Sequence, residues 1–253
     1  MMFWFKPSKV HVDCFTYVDM VYNEHPIEKA NRHTPEEWRA IASSYQERAF
    51  PQVPESKMMI EASTIKKCTG FTNLFSTGFI LPAWSDFDLE VVEDGRFLWK
   101  APSPILQAHT HDRAQLGGWE LYKDYTHIKL ISPWSFVEKT GVKFAWNRCD
   151  WHNSERAADV HVISGVVDYK YQHSTNVNMF VKKPSITKFF AGDPLVHIIP
   201  LTEKEVVIHN HVMTDKEHER KFGFISSNVN GYKKSKNKKM QKEKGKCPFG
   251  FGR

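Results

Sequence analysis

Cysteine is scarce in this chain and never paired. Cys14, Cys68, Cys149 and Cys247 are the four among 253 residues, and no two share the spacing of a zinc ribbon or a small disulfide framework. The thiols are therefore expected to be reduced and structural. Long apolar runs are missing too. None approaches the roughly 18 residues that a membrane-crossing helix requires, so no membrane partner is expected. The opening Met1-Met2-Phe3-Trp4-Phe5-Lys6 is too short for the apolar core of a secretory signal and lacks a small-residue cleavage site, which makes a cytoplasm the expected location. No glycine-rich loop that could cradle phosphate occurs, and no serine, cysteine or lysine sits in a recognisable nucleophile motif. Internal repeats are absent. A protein that acts by binding, without a complete catalytic motif, is the first expectation.

What is present argues for a folded body. Hydrophobic residues make up 41% and aromatics 13% of the chain, above what a disordered polymer carries, and the length suits one large domain with extensions. The charge is uneven. Residues 232–253 hold eight lysines and Arg253 against Glu243 alone, a local +8, whereas the whole chain carries +6, so the remaining 231 residues sum to −2. The basicity belongs to the tail. Its lysines suit a solvated terminus or non-specific contact with nucleic acid. Its aromatic ending, with Phe249 and Phe251, suits a peptide that docks on a partner.

The pattern along the chain is that of strands. Val10–Val18 alternates, as do Phe87–Val92 and the returning Phe97–Trp99 across the Glu93-Asp94-Gly95-Arg96 turn. Further strands are expected at 127–131, 142–146, 160–167, 176–182, 194–200 and 205–213. Spacing of about 10–15 residues with few helical periods between them points to a mainly β fold, not a doubly wound parallel sheet. One helix is expected at the amino-terminal side, with Thr34 as N-cap, Pro35 first, Glu37 completing a capping box, and Trp38, Ile41, Ala42 and Tyr45 on one stripe. A short charged helix is expected at 215–221. Ser132-Pro133-Trp134-Ser135, Trp84, Trp146 and Trp151 suit core packing more than the lining of an aromatic pocket. Asp86 and Asp88 read as the exposed face of a strand.

Two His-x-His pairs stand out, His109-Thr110-His111 and His209-Asn210-His211. Residues i and i+2 of a strand share a face, so each pair can present two imidazoles to one metal. His109 to Gln115 is similar to the first motif of the cupins, with Gln115 where a carboxylate would stand, and His197 lies where a cupin places a third histidine. This makes His109, His111 and His197 the candidate ligands of a divalent metal (Fe, Mn or Zn) in a cupin-like enzyme. Exposed histidines at a strand edge are the plainer alternative, and no cofactor is the first expectation.

Residues 161–201 carry two punctuated phrases, Ser164-Gly165-Val166-Val167-Asp168-Tyr169-Lys170-Tyr171 and Gly192-Asp193-Pro194-Leu195-Val196-His197-Ile198-Ile199. Their layout resembles the late core of the β-clip superfamily, which includes the trimeric deoxyuridine triphosphatases. That resemblance implies a catalytic Asp168 that orients water, Tyr171 against the deoxyribose, and Phe251 of Gly250-Phe251-Gly252 stacked on the base. The Arg-Ser-Gly phosphate motif of those enzymes is absent, His197 replaces their glutamine, and Arg253 follows the last glycine where they have serine or threonine. These departures count against hydrolysis.

A second resemblance covers most of the chain. Phe5-Lys6-Pro7, Val12-Asp13-Cys14-Phe15-Thr16, Pro26-Ile27-Glu28-Lys29-Ala30, Pro35-Glu36-Glu37-Trp38, Thr64-Ile65-Lys66-Lys67-Cys68-Thr69-Gly70-Phe71, Gly78-Phe79-Ile80-Leu81-Pro82 and the Cys247-Pro248-Phe249 ending are similar to an uncharacterised family of tailed phages of marine bacteria, of the cyanophage type. It implies a phage-encoded protein acting in a bacterial host cytoplasm or in the virion, and it brings no activity with it.

The resulting expectation is a mainly β single domain, β-clip-like or a jelly roll. Residues 1–59 form a strand-helix extension, 60–213 the core, 214–231 a short helix and linker, and 232–253 a disordered basic tail. The expected role is an accessory or virion-associated binding protein, a homo-oligomer or a partner of other phage proteins through its tail.

Overall fold

Alternation decides the first strand. Val10, Val12, Cys14 and Thr16 are fully buried, while His11, Asp13 and Phe15 between them point to the other side. The computed structural model describes residues 9–111, 120, 123–152, 159–223 and 236–241. In chain order the strands are β1 (Val10–Thr16), β2 (Glu28–Lys29), β3 (Ser44–Arg48), β4 (Met59–Ser63), β5 (Phe79–Pro82), β6 (Phe87–Val91), β7 (Phe97–Lys100), β8 (Gln107–His109), β9 (Tyr125–Ile131), β10 (Trp134–Glu138), β11 (Lys143–Arg148), β12 (Val160–Val162), β13 (Gly165–Asp168), β14 (Val177–Lys182), β15 (Ser185–Phe189), β16 (Pro194–Pro200) and β17 (Val206–Val212). The helices are α1 (Asp19–Glu24), α2 (Glu36–Ala40), α3 (Thr69–Ser76) and α4 (Asp215–Phe222).

Four sheets enclose the main core. Their orders are β10-β1-β17, β13-β11-β16-β5-β2, β12-β14-β9-β8 and β15-β6-β7. Every pairing is antiparallel except β1 with β17. Val12, Leu89, Leu130, Phe136, Phe144, Met179 and Ile198 come from all four sheets and meet in one apolar cluster. The protein is therefore a mainly β single domain. The amino-terminal segment supplies more than an extension packed on that core, because β1 is the central strand of its sheet. No helix among the described residues is long and apolar enough to cross a membrane.

Two polar groups of the interior are matched closely. Trp146 Nε1 donates to the Tyr169 hydroxyl at 2.6 Å, and burial pushes that phenol well above its ordinary pKa. Glu138 is 1% exposed, yet its carboxylate accepts from the backbone N–H groups of Thr140, Gly141 and Val142 at 2.5, 2.6 and 3.1 Å. The Thr140 hydroxyl donates to it as well, and these four donors hold the turn from β10 to β11 and offset the cost of burying the charge.

The amino-terminal helix is shorter than its sequence suggests. α2 ends at Ala40, and Ile41 is already extended. Thr34 makes no cap; its hydroxyl donates to Asn31 O of the preceding 3-10 turn. Tyr45, expected on the helical stripe, lies on β3 opposite Ala62 of β4. Backbone pairing along residues 44–63 outcompetes the helical period there. The 215–221 helix does form as α4, and the reciprocal cap that Thr34 lacks is found here, with Thr214 accepting from Glu217 N and Glu217 accepting from Thr214 N.

Part of the lysine-rich tail also has a place. Residues 236–241 are helical, and Lys239 Nζ donates to Lys170 O at 3.2 Å and lies 3.1 Å from His173 Nε2. Lys236 Nζ sits 5.3 Å from the Tyr171 ring centroid. The expectation of a tail wholly without structure is corrected for these six residues, since a carbonyl, an imidazole nitrogen and an aromatic face give their ammonium groups partners.

Candidate interaction surface

The candidate metal ligands are dispersed. His109 ends β8 in the β12-β14-β9-β8 sheet, and the ring of His111 just beyond it lies tilted against that of His127 at 4.7 Å. His197 belongs to β16 in another sheet. It is 1% exposed, its Nε2 lies 2.7 Å from Thr77 O, its Nδ1 has no partner among the described residues, and burial lowers its pKa. It packs edge-on against Trp151 at 6.2 Å. No group of three or more His, Cys, Asp or Glu side chains arranged to hold a metal occurs among the described residues, and Gln115 lies outside them.

The second His-x-His pair also addresses its neighbours. His209 Nε2 lies 2.9 Å from His11 Nδ1, and His211 Nε2 2.9 Å from Asp13 Oδ1. Both partners come from β1, whose parallel register sets Asp13 beside His209 and Phe15 beside His211. His209 and His211 therefore form part of the outer face of a sheet.

Asp168 ends β13, and its Oδ1 accepts from Lys170 N at 3.1 Å. Its carbonyl accepts from Tyr171 N and Gln172 N. The carboxylate thus stabilises its own turn, as an Asx turn does. Tyr171, 7% exposed, packs under Lys170 and Lys236. Phe251 lies outside the described residues. The structure brings Asp168 and Tyr171 together on one turn and joins neither to a histidine of the metal set.

The most distinctive surface was not foreseen. Among the described residues β3 and β4 pair only with each other, as a two-stranded sheet separate from the other four. No residue of either strand is buried. Tyr45 and Ile60 share one face of the pair, and Phe50, Val53 and Met58 crowd its tip. Met59 is 51% exposed and Met58 59%. The arm also carries charges of both signs, Glu47, Arg48, Lys57 and Glu61 among them.

Its base is anchored by aromatic contacts. Trp38 of α2 packs on Phe71 and Phe75 of α3 at 5.4 and 5.0 Å, and Phe75 meets Trp151 edge-on at 5.5 Å. Trp151 in turn packs on the small cluster of Ala30, Ile80 and Cys149. Lys66 Nζ donates to Arg39 O at 2.5 Å across the same junction. The arm thus stands on a fixed base while its apolar side chains face outward. A sequence signal existed: Met58-Met59-Ile60 closes a proline-punctuated segment begun by Phe50-Pro51, but its exposure depends on which strands pair. Comparison with family models and with curated proteins finds no match for the chain.

Proposed function

We propose that the protein works by binding, as a self-associating accessory or virion-associated protein of a tailed phage, and that the β3–β4 arm is the surface through which copies meet. The exposure of the arm carries this reading. A lone two-stranded sheet is at best marginally stable in water, and a strand edge with unpaired N–H and C=O groups pairs readily with another chain. Contiguous exposed apolar side chains of this kind mark interaction sites. A second copy is the occupant that the charges favour, since an arm bearing both signs complements itself in an antiparallel, two-fold arrangement. The resemblance to a phage family supports the setting, and the absence of a complete catalytic motif supports binding.

Light scattering coupled to size exclusion tests the proposal on the full chain. A mass at least twice the 29.5 kDa of the chain is expected at micromolar concentration. A monomer at every concentration would overturn it.

A further inference from the structure

Helix α4 crosses the outer face of the sheet that holds β1, with Phe222 5.7 Å from Phe15 and Lys221 Nζ 3.4 Å from the Phe15 ring centroid. Beside this contact it leaves a cleft of about 460 Å³, inside the ~300–1,000 Å³ range of small-molecule sites. The cleft is assembled from distant segments: Tyr17 after β1, 131–135 at the start of β10, 172–176 before β14, and α4 itself.

The chemistry of its walls restricts the ligand. Among the described lining residues there is no lysine or arginine, whereas Asp215 and Glu219 of α4 both line it. Lys239 reaches the back of one wall residue, His173, but does not line the cleft. A phosphate or carboxylate would therefore enter a site with two like charges and no lining cation to neutralise it. The polar lining is otherwise neutral and hydrogen-bonding. Ser135 Oγ lies 3.1 Å from His218 Nε2, and burial lowers the pKa of that imidazole. The Gln172 side-chain amide donates to Ser174 Oγ at 2.9 Å, and Asn176 Oδ1 accepts from Ser132 N, so these side chains are held in place before any ligand arrives.

A further feature calls for a hydroxyl-bearing occupant. Tyr17, 38% exposed, also lines the cleft, and an aromatic surface beside amide and hydroxyl groups matches the alternating C–H and O–H faces of a pyranose.

We infer that this cleft binds a neutral, hydroxyl-rich small molecule of the saccharide class, separately from the self-association surface. The test is titration of the full chain with glucose, galactose, N-acetylglucosamine and their β-linked disaccharides, followed by tryptophan fluorescence, with deoxyuridine and deoxyuridine triphosphate as comparators. At least one saccharide is expected to give a saturable change with a Kd below about 10 mM, weakened at least about tenfold by Tyr17→Ala and by Gln172→Ala, which removes a lining amide. Tyr17 is partly exposed, so its variant keeps the test open if the Gln172 variant does not fold. Saturable binding of the triphosphate or of deoxyuridine with none of any saccharide, or no saturable response to any probe, would overturn the inference. Either result leaves the oligomeric mass unaffected, so the two proposals fail separately.

Discussion

His211 Nε2 lies 2.9 Å from Asp13 Oδ1 across the parallel β1–β17 pair. The relationship shows why a His-x-His spacing is a weak predictor of a metal centre. Period two aligns His209 and His211 on one face, but the neighbouring strand decides what they meet, and here it offers His11 and Asp13. Untagged protein is accordingly expected to contain no stoichiometric iron, manganese or zinc. Metal at one equivalent, lost on replacing His109 and His111 by alanine, would contradict this placement.

Glu138 gives a stability prediction. Glutamine has one acceptor oxygen where the carboxylate has two, so Glu138→Gln turns an NH₂ group toward the N–H donors of the turn after β10. The variant is expected to lose about 2–3 kcal/mol of stability in denaturant unfolding, since each buried donor left unpaired costs about 1–3 kcal/mol. A change under ~0.5 kcal/mol would show that the turn does not depend on the charge.

Gly78 gives another. Its φ is +80°, and a Cβ there would stand 2.2 Å from the carbonyl oxygen of Ile198 on β16. Backbone cannot yield as a flexible side chain does, and the left-handed conformation adds strain. Gly78→Ala is expected to cost at least ~2 kcal/mol, read as a lower urea midpoint with unchanged slope. An unaltered midpoint would mean that β5 and β16 can separate without penalty.

Acid should destabilise the fold before its carboxylates titrate. Burial lowers the pKa of His127, His173, His197 and His218. A histidine with a depressed folded pKa binds fewer protons folded than unfolded, so its stability is fully present above the unfolded value near 6.5 and is lost as pH falls below it. Tm is expected to drop between pH 7 and pH 5. The Lys239 charge, the next cause after burial at His173, steepens that loss, so Lys239→Met should flatten it. A Tm independent of pH over this interval would contradict the burial of these imidazoles.

How much was legible in the sequence follows from what each element depends on. β1, β6, β16 and β17 were readable because period-two alternation or a continuous apolar run is a local signal. β10 was missed because one of its inward positions is Glu138, which reads as a surface residue until the turn that satisfies it is known. β15 was missed for the opposite reason, since its Ile186 is 71% exposed while Thr187 is buried. The Thr34–Glu37 and Thr214–Glu217 spacings are identical, yet only the second makes a cap; pairing of β3 with β4 removes the residues that would have continued the first helix. The cleft under α4 was illegible because its walls come from four stretches of chain. Trp134 and Ser135 were noticed, but nothing local says that His218 packs beside them. The exposure of the arm is likewise a property of the assembled sheets.

If the β3–β4 arm joins copies of the chain, sedimentation of a double variant reveals it. Tyr45→Glu with Ile60→Glu adds charge beside Glu47 on the face that Tyr45 and Ile60 share, without touching a buried residue, so the fold should change by no more than about 0.5 kcal/mol. The account predicts that the wild type sediments as an oligomer whose mass persists at about 0.5 M salt, because an apolar contact is little screened, and that the variant sediments as a monomer with the same Tm. An unchanged mass in the folded variant, or a wild type that is monomeric, would contradict it.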